Sequence, residues 1–361
     1  MEKYKVKTNK GITLIALAIT IIVLLILAGV TIAMLTGNNG ILTKAQTAKQ
    51  ASEESSENEK RRLSQIEAST HLENYTYKDS EENVATVPAG FAVSTVEGEN
   101  LVSKGLVIIG TNGNEYVWIP CTEDTYKREE SAWWIEDDNG TRAIKDELTL
   151  TGATPSDVES TNGITTEVLT EIVKQVQNEI ISVKNNGGYY IGRYEVGKEN
   201  NNTIIKASQE PYASIRWSQA YELAKKIDVG TKANSYLCSS YAWDTAVNFI
   251  KTHSTATNYA TSTNFNGNWL SRDVKDKKGN IIKKANESQR LNTGLTTSYA
   301  NIYDMGGNVG EFTTELNPNT SDTVVFRGGN FYGSGPAGTR WDSDSGDADS
   351  GYGFRSTIFL K

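Results

Sequence analysis

The chain has 361 residues and a formal net charge of −8, with 36 Lys and Arg against 44 Asp and Glu. An acidic chain with no basic patch interleaved with aromatic residues is not expected to bind nucleic acid. Its two cysteines, Cys121 and Cys238, allow a single disulfide and, with two distant histidines, cannot form a zinc cluster, so a disulfide-framework protein and a zinc finger are excluded.

A basic leader at residues 1–11 precedes an uninterrupted apolar run at residues 12–35. A run of this length can cross a membrane as a helix. Because lysines precede the run and none follows it until Lys44, the positive-inside rule predicts a cytoplasmic N-terminus and an extracellular remainder. A cleaved secretory signal is the alternative. The length of the run and the lack of a small-x-small cleavage site favour an uncleaved, single-pass anchor in the cell membrane.

Residues 10–15, KGITLI, resemble the N-terminus of type IV pilins and pseudopilins. That resemblance implies cleavage of the leader after Gly11 and packing of the apolar helix into a filament. The family usually has Glu at the fifth mature position, where it pairs with a neighbouring subunit's terminal amine, whereas this chain has Ala16. A buried amine without a partner carboxylate is costly. A membrane anchor is therefore favoured over pilin-like self-assembly.

From Ile41 to about Ala68 the chain is rich in Ala, Glu, Lys and Gln and lacks Pro and Gly. This composition predicts an exposed helix, and we expect residues 36–70 to form a helical stalk. Apolar positions are too sparse to indicate a coiled coil. The polar residues 71–87 are expected to be a linker, and residues 88–361 an ectodomain.

The ectodomain begins with strand-like alternation. Apolar runs at residues 105–109 and 115–119 flank Asn112-Gly113, which is typical of a β-hairpin. Apolar residues at helical spacing predict an amphipathic helix at residues 165–183 with one face in the core. Three further elements are expected: a strand at 189–196, a helix at 217–225 capped by Ser218, and a helix at about 240–251. Few long helices and many short strands predict an α+β fold.

Six segments follow one another between Gly187 and Arg355: GGYYIGRYEV, IRWSQAYELAKK, SYLCSSYAWDTAVNFI, NIYDMGGNVGEF, FRGGNF and GYGFR. In this order they resemble the formylglycine-generating enzyme / sulfatase-modifying family, whose fold is a C-type-lectin-like variant. The resemblance implies a C-type-lectin-like ectodomain with structural roles for Arg327, Gly328, Gly329 and Arg355. The glycines allow positive φ and close backbone approach, and the arginines can hold loop carbonyls or carboxylates.

The sequence departs from that family at its reactive residues. Members that oxidise cysteine use a pair of cysteines between the R-G-G strand and the final G-F-R, whereas residues 330–352 of this chain contain none. Cys121 lies outside the similar segments, and Cys238 lies in the third of them. Without a thiolate in that place, neither copper binding nor thiol redox chemistry is available. We therefore expect no copper and no enzyme activity.

Asn308 and Glu311 occupy positions that supply calcium ligands in some members of the family, and such oxygen ligands suit Ca²⁺. The alternative is that both side chains hydrogen-bond the loop without a metal. The acidic segment 342–349 does not match an EF-hand, which has Gly at its sixth place and Glu at its twelfth, and we expect it to form a solvated loop.

Residues 330–352 are poor in aliphatic side chains and rich in Asn, Tyr, Ser, Asp and Gly, a composition typical of binding surfaces. The segment resembles the ligand-binding segment of variable proteins diversified by retroelements, which share the lectin-like fold and place this segment just before the C-terminus. We expect an exposed face for an extracellular protein or glycan formed by Asn330, Tyr332, Ser334, Thr339, Trp341, Asp342, Asp344, Asp347, Asp349 and Tyr352.

Together these features predict a membrane-anchored surface protein that displays a non-catalytic, lectin-like module for adhesion or recognition. Two alternatives remain open: a minor pilin or pseudopilin subunit, and an active cysteine-oxidising enzyme, which the missing cysteines disfavour.

Overall fold

A computed structural model describes residues 14–36, 40–129, 146–276, 279–316, 324–333 and 335–361. The predicted leader at residues 1–11 and the predicted binding residue Ser334 lie outside the described residues. The chain forms two compact units, one ending at Asn58 and the other running from Glu59 to Lys361. The architecture is α+β with mixed sheets.

The described residues contain six α-helices: α1 (Leu14–Thr36), α2 (Ile41–Ala68), α3 (Asp157–Thr161), α4 (Thr166–Asn186), α5 (Trp217–Lys225) and α6 (Ser240–His253). They also contain seventeen β-strands: β1 (Tyr75–Lys78), β2 (Val84–Val87), β3 (Phe91–Val93), β4 (Val107–Gly110), β5 (Glu115–Pro120), β6 (Gly188–Gly192), β7 (Gly197–Glu199), β8 (Asn202–Ile204), β9 (Glu210–Pro211), β10 (Ala233–Leu237), β11 (Val274–Lys275), β12 (Ile281–Lys283), β13 (Gly310–Leu316), β14 (Val324–Arg327), β15 (Arg340–Ser343), β16 (Tyr352–Phe354) and β17 (Ser356–Leu360).

Helix α1 lies in the apolar run predicted to span a membrane. Its side chains are described at residues 17–32, 34 and 35, and the large aliphatic ones among them are exposed. Within the described part of the chain, no helix combines the length and the apolar character that a membrane crossing requires. The predicted transmembrane helix at residues 12–35 is therefore not confirmed.

Helix α2 forms where a helical stalk is predicted, but its last turns belong to the second unit. Ser64 and Ala68 are buried. The Arg61 guanidinium lies 2.5 Å from the Glu99 carboxylate and 2.9 Å from that of Glu115. The last turns of α2, inside the predicted stalk at residues 36–70, therefore pack as part of the second unit.

The predicted linker at residues 71–87 contains the antiparallel hairpin β1–β2, with Val87 paired to Tyr75. Ala85 and Val87 are buried in the main core. Because most of the segment is polar, its sequence did not indicate a strand. Within β2 the burial nevertheless alternates, since Val84 is exposed and Thr86 is only half-buried.

The largest sheet has six antiparallel strands in the order β10-β17-β6-β5-β4-β3. The predicted hairpin is confirmed as β4–β5, with Val107 opposite Val117. The last strand, β17, lies between β10 and β6. The sheet therefore cannot be completed until the C-terminal residues are in place.

The predicted amphipathic helix is confirmed as α4. It is capped by the Thr165 hydroxyl, which accepts a hydrogen bond from the Val168 N–H at 3.3 Å, and its core-facing residues include the buried Leu169, Ile172 and Val176.

The predicted cap of α5 is wrong. Ser218 lies inside the helix and Arg216 is the N-cap, with its backbone N–H donating to the Gln219 side chain at 2.9 Å.

A mixed sheet of four strands, in the order β15-β14-β13-β16, carries the C-terminal motifs. Strands β13 and β16 are parallel, and the other pairs are antiparallel. Aromatic residues occupy directly opposed positions on all four strands, and opposed side chains share a face. This row runs across the sheet in the order Trp341, Phe326, Phe312, Phe354.

Candidate functional site

A cavity of about 170 Å³ opens beside this row of aromatic residues. Its lining is mainly apolar and comes from Phe326, Gly329, Asn330, Tyr332, Gly333, Trp341 and Tyr352. We call it the aromatic cavity. It brings together four of the ten residues predicted to bind ligand, namely Asn330, Tyr332, Trp341 and Tyr352.

The strands position three of the rings. Trp341 on β15 lies opposite Phe326 on β14, and Tyr352 at the start of β16 lies opposite Gly310 on β13. A Cβ atom at Gly310 would lie 2.6 Å from the Phe326 ring. Because Gly310 has no side chain, the Phe326 and Tyr352 rings approach to 4.5 Å between centroids. This close approach builds the floor of the cavity.

The loop after β14 positions the fourth ring. Gly329 has a φ of +69°, and a Cβ atom there would lie 2.9 Å from the Gly335 carbonyl oxygen, so the loop requires glycine at this point. The Asn330 side-chain oxygen accepts hydrogen bonds from the N–H groups of Tyr332 at 3.2 Å and Gly333 at 2.6 Å. Asn330 is only 5% exposed. It therefore shapes the loop that presents Tyr332.

Tyr332 stands at the mouth of the cavity and is 37% exposed. Its hydroxyl donates to the Asp349 carboxylate, which also accepts the Gly351 N–H at 2.7 Å. Burial, together with the hydrogen bond and charge of Asp349, raises the pKa of the Tyr332 hydroxyl. The hydroxyl therefore stays neutral, and the Tyr332 ring is fixed against the adjacent loop.

Two exposed aspartates lie near the same mouth. Asp347 and Asp349 are exposed, and the Asp347 carboxylate accepts from the Ser343 hydroxyl at 2.6 Å. Burial, and then the charges of Asp349 and Asp347, raise the pKa of Tyr352, so both carboxylates act on its hydroxyl. The predicted solvated loop at residues 342–349 is correct for residues 347–349. It is wrong for the start of the segment, where β15 continues through Ser343.

Other members of the predicted face lie elsewhere. Thr339 is 2% exposed, and its carbonyl accepts from the Arg327 guanidinium at 3.0 Å, so it supports the sheet. Asp342 follows Trp341 in β15, and side chains alternate along a strand, so Asp342 belongs to the opposite face. Asp344 is half-buried and accepts from the Gly346 N–H at 2.7 Å. The predicted set is therefore not a single exposed surface.

A second, more polar groove of about 680 Å³ lies next to the aromatic cavity. Its lining includes Phe331 and Ser350, the sequence neighbours of Tyr332 and Asp349. At this groove the Arg290 guanidinium donates to the Ser350 carbonyl at 2.8 Å and to the Glu210 carboxylate at 2.7 Å. Sequence reasoning missed the groove because its walls come from segments around residues 210, 290, 331 and 350.

The side-chain oxygens of Asn308 and Glu311, the predicted calcium ligands, accept hydrogen bonds from other parts of the chain. Both Glu311 oxygens accept from the Arg355 guanidinium, at 2.8 and 2.5 Å. The Asn308 side-chain oxygen accepts from Asn268 and from the Leu291 N–H, each at 2.9 Å. Within the described ranges, no cluster of three or more His, Cys, Asp or Glu side chains is arranged to hold a metal ion. These contacts match the alternative in which both side chains hydrogen-bond the loop.

A buried ionic cluster lies below β14 and β15. The Arg327 guanidinium contacts Asp244 at 2.5 Å and Glu315 at 3.1 Å. Arg340 contacts the same two carboxylates, at 2.5 and 2.7 Å. Arg327 also donates to the carbonyl of Thr339, and Gly328 has a φ of +84°. These residues fix the two strands that carry Phe326 and Trp341, so their role here is support.

Both cysteines are free and buried. Burial raises the pKa of the Cys121 thiol to about 12 and that of Cys238 well above its ordinary value. Neither residue lines the aromatic cavity. Both thiols are therefore neutral at physiological pH and poor nucleophiles.

No protein-family model matches the sequence, and no curated protein matches it. Among solved structures, CarF is similar with a TM-score of 0.35 and 14% identity, over 48% of this chain and 87% of CarF. Treponema denticola variable protein 1 is similar with a TM-score of 0.22 and 16% identity, over 79% of this chain and 98% of that protein. Similarity at these levels does not establish a family, and membership in the formylglycine-generating enzyme family is not confirmed.

Proposed function

We propose that this protein is a ligand-binding module for recognition or adhesion, with the aromatic cavity as its binding site. The observation that carries the proposal is the convergence of Tyr332, Trp341 and Tyr352 on one cavity, on backbone fixed by strand pairing and by Asn330 and Asp349. Rigid aromatic rings give a large contact area at a small entropy cost. The C-type-lectin-like fold and the retroelement-diversified segment belong to this proposal and rest on the sequence resemblance.

We also propose that the module is not an enzyme. The described residues that line the cavity include no Cys, His, Lys, Asp or Glu. Its titratable side chains are Tyr332 and Tyr352, whose pKa values burial raises further from neutrality. A general acid or base works best with a pKa near the working pH. The rival, a cysteine-oxidising enzyme, predicts copper- and oxygen-dependent turnover of a cysteine peptide.

Substitution of the exposed ring tests the binding proposal. Labelled wild-type protein and the Tyr332→Ala variant are applied to glycan and peptide arrays, and we expect the variant to lose signal on the ligands that the wild-type protein binds. The loss follows from removal of one wall of the cavity. Tyr77→Ala, a tyrosine substitution on the β1 strand, is the matched control and should bind like the wild type. Equal array patterns for wild type and Tyr332→Ala would exclude the cavity as the binding site.

The position at the cell surface remains a proposal that rests on the lysines and apolar residues of positions 1–35 in the sequence. Protease treatment of intact cells should remove the second unit if it is extracellular, and leave it intact if it is not. Mass spectrometry of the mature N-terminus distinguishes a pilin-like subunit from a plain membrane anchor. A terminus at Ile12 supports the pilin-like alternative, and an intact leader supports a plain anchor.

A further inference from the structure

The aromatic cavity has walls suited to a compact cation. Its lining includes the rings of Phe326, Tyr332, Trp341 and Tyr352. The face of an aromatic ring carries partial negative charge and attracts a cation within about 6 Å of its centroid. The cavity volume of about 170 Å³ is below the roughly 300 to 1,000 Å³ typical of sites for drug-sized ligands. It therefore suits one compact chemical group rather than a whole small molecule.

The charge around the cavity is negative. From Trp341 to Phe354 the chain contains four aspartates and no Lys, Arg or His. Asp347 and Asp349 are exposed, and Asp349 is joined to the Tyr332 hydroxyl at the mouth of the cavity. These carboxylates would strengthen attraction of a cation, with a strength that decreases as salt is added.

The nearest arginines in the sequence do not reverse this charge. Arg340 is buried against Asp244 and Glu315, and Arg355 is buried against Glu311. Arg290, which reaches the Ser350 carbonyl, is paired with the Glu210 carboxylate. Each of these three arginines is thus paired with at least one carboxylate.

From this combination of aromatic walls and acidic mouth, we propose that the cavity binds an organic ammonium group. Two sources share this chemistry: a lysine side chain of a partner protein, methylated or not, and a free quaternary ammonium compound. The inference rests on the proposed function, because it names the ligand class of the same site. A neutral group of equal shape could fill the cavity and contact the rings, but it would gain no electrostatic attraction from the carboxylates or the ring faces.

The direct test compares a cation with its neutral isostere. Saturation-transfer NMR and titration calorimetry on the full chain measure binding of choline and of 3,3-dimethyl-1-butanol, in which carbon replaces the charged nitrogen. We expect choline to bind about tenfold more tightly, an effect between those of an exposed and a fully desolvated cation–π contact. Nα-acetyl-lysine and its trimethylated form, measured in parallel, distinguish the side-chain source from the free compound. Equal affinity for choline and its isostere would overturn the inference.

Two aspartate variants test whether choline binds at the aromatic cavity. Asp349→Asn retains an oxygen that can accept from the Tyr332 hydroxyl but removes the charge, and we expect several-fold weaker choline binding. Asp124→Asn removes the same charge at an exposed position away from the cavity lining and should leave choline binding unchanged. Choline affinity that is equal in Asp349→Asn and the wild type would contradict a role for the acidic mouth.

The outcomes separate this inference from the proposed function. If no ammonium probe binds while array ligands still require Tyr332, the inference fails and the proposed function stands. If array ligands bind without regard to Tyr332, the proposed function fails as well.

Discussion

Glu179 is a buried carboxyl group whose environment links stability to pH. It lies on α4 and accepts hydrogen bonds from the Tyr126 and Ser239 hydroxyls at 2.7 and 2.6 Å, and from the Gln175 amide at 2.8 Å. Burial raises the pKa of Glu179 to about 7 despite these bonds. The folded protein therefore holds a proton that the unfolded chain releases at lower pH.

The consequence is a stability that falls as pH rises. Between about pH 4.5 and 7 the folded state binds more protons at Glu179 than the unfolded state does. The stabilisation that the Glu179 proton gives the folded state is complete below about pH 4.5 and is lost as pH rises through about 7. We expect the free energy of unfolding to decline by up to about 3 kcal/mol from this group. Urea unfolding at pH 5 and pH 8 measures the decline, which Glu179→Gln should reduce.

Other carboxyl groups also affect how stability depends on pH, and they determine the controls for this experiment. Burial raises the pKa of Asp304 to about 6 and that of Glu311 to about 7, so the variant should keep part of the decline. Glu171→Gln removes an exposed carboxylate from the same helix and should leave the slope unchanged. A Glu179→Gln variant with the wild-type slope would contradict the assignment.

At the residue scale, tertiary packing decides where the helices are capped. The predicted helix 165–183 begins one residue later than expected, with Thr165 as its N-cap. Ser218 does not cap α5, because Trp217 is fully buried and donates its indole N–H to the Thr313 carbonyl at 2.7 Å. The N-cap, Arg216, therefore lies two residues before the predicted cap, although the helix has the predicted bounds of 217 and 225.

At the scale of elements, the parallel pairing of β13 and β16 creates the floor of the aromatic cavity. Gly310→Ala would place a methyl group 2.6 Å from the Phe326 ring. We expect a loss of stability of about 1 to 3 kcal/mol, typical of overpacking, and weaker ligand binding because the ring must move into the cavity. Urea unfolding and array binding measure the two effects.

Gly29→Ala is the matched control, because a Cβ atom at Gly29 meets nothing within 4 Å. It should leave array binding unchanged. If Gly310→Ala binds its ligands as well as the control does, the floor of the cavity does not depend on the missing side chain.

The elements differ in how far sequence could predict them. The β4–β5 hairpin and α4 follow from turn residues and from helical spacing, which act between residues close in the chain. The pairing of Gly310 with Tyr352 follows from no local signal, because these residues are far apart in sequence. The same is true of the polar groove, whose walls come from several segments.

At the scale of the whole molecule, the second unit begins before the predicted ectodomain. Arg61 and Arg193 share the carboxylates of Glu99 and Glu115, with contacts of 2.5 to 2.9 Å. Burial opposes the ionisation of Glu99, but Arg193 and Arg61 lower its pKa to about 2. Loss of Arg61 would leave two carboxylates with one guanidinium.

Truncation tests this boundary. We expect a fragment beginning at Glu59 to keep its ion-pair cluster, whereas a fragment beginning at residue 71 loses about 2 kcal/mol or more through the unmatched carboxylates. Urea unfolding of the two fragments measures the difference. In the full chain, Arg61→Ala should reproduce the loss, and Arg62→Ala at the exposed neighbouring position should not. Equal stability of the two fragments would instead support the predicted boundary at residue 70.

The sequence by itself determined the α+β class, the strongly periodic helix, the hairpin and the segment from which the candidate site is built. Each depends on residues that are close in the chain or on composition. Only the tertiary structure decided that Tyr332, Trp341 and Tyr352 share a cavity while Thr339 is buried and Asp342 lies on the other strand face. Strand register determines which of these side chains line the cavity and which do not. Register is set by pairing between segments that lie far apart in the sequence, so the sequence alone does not reveal it.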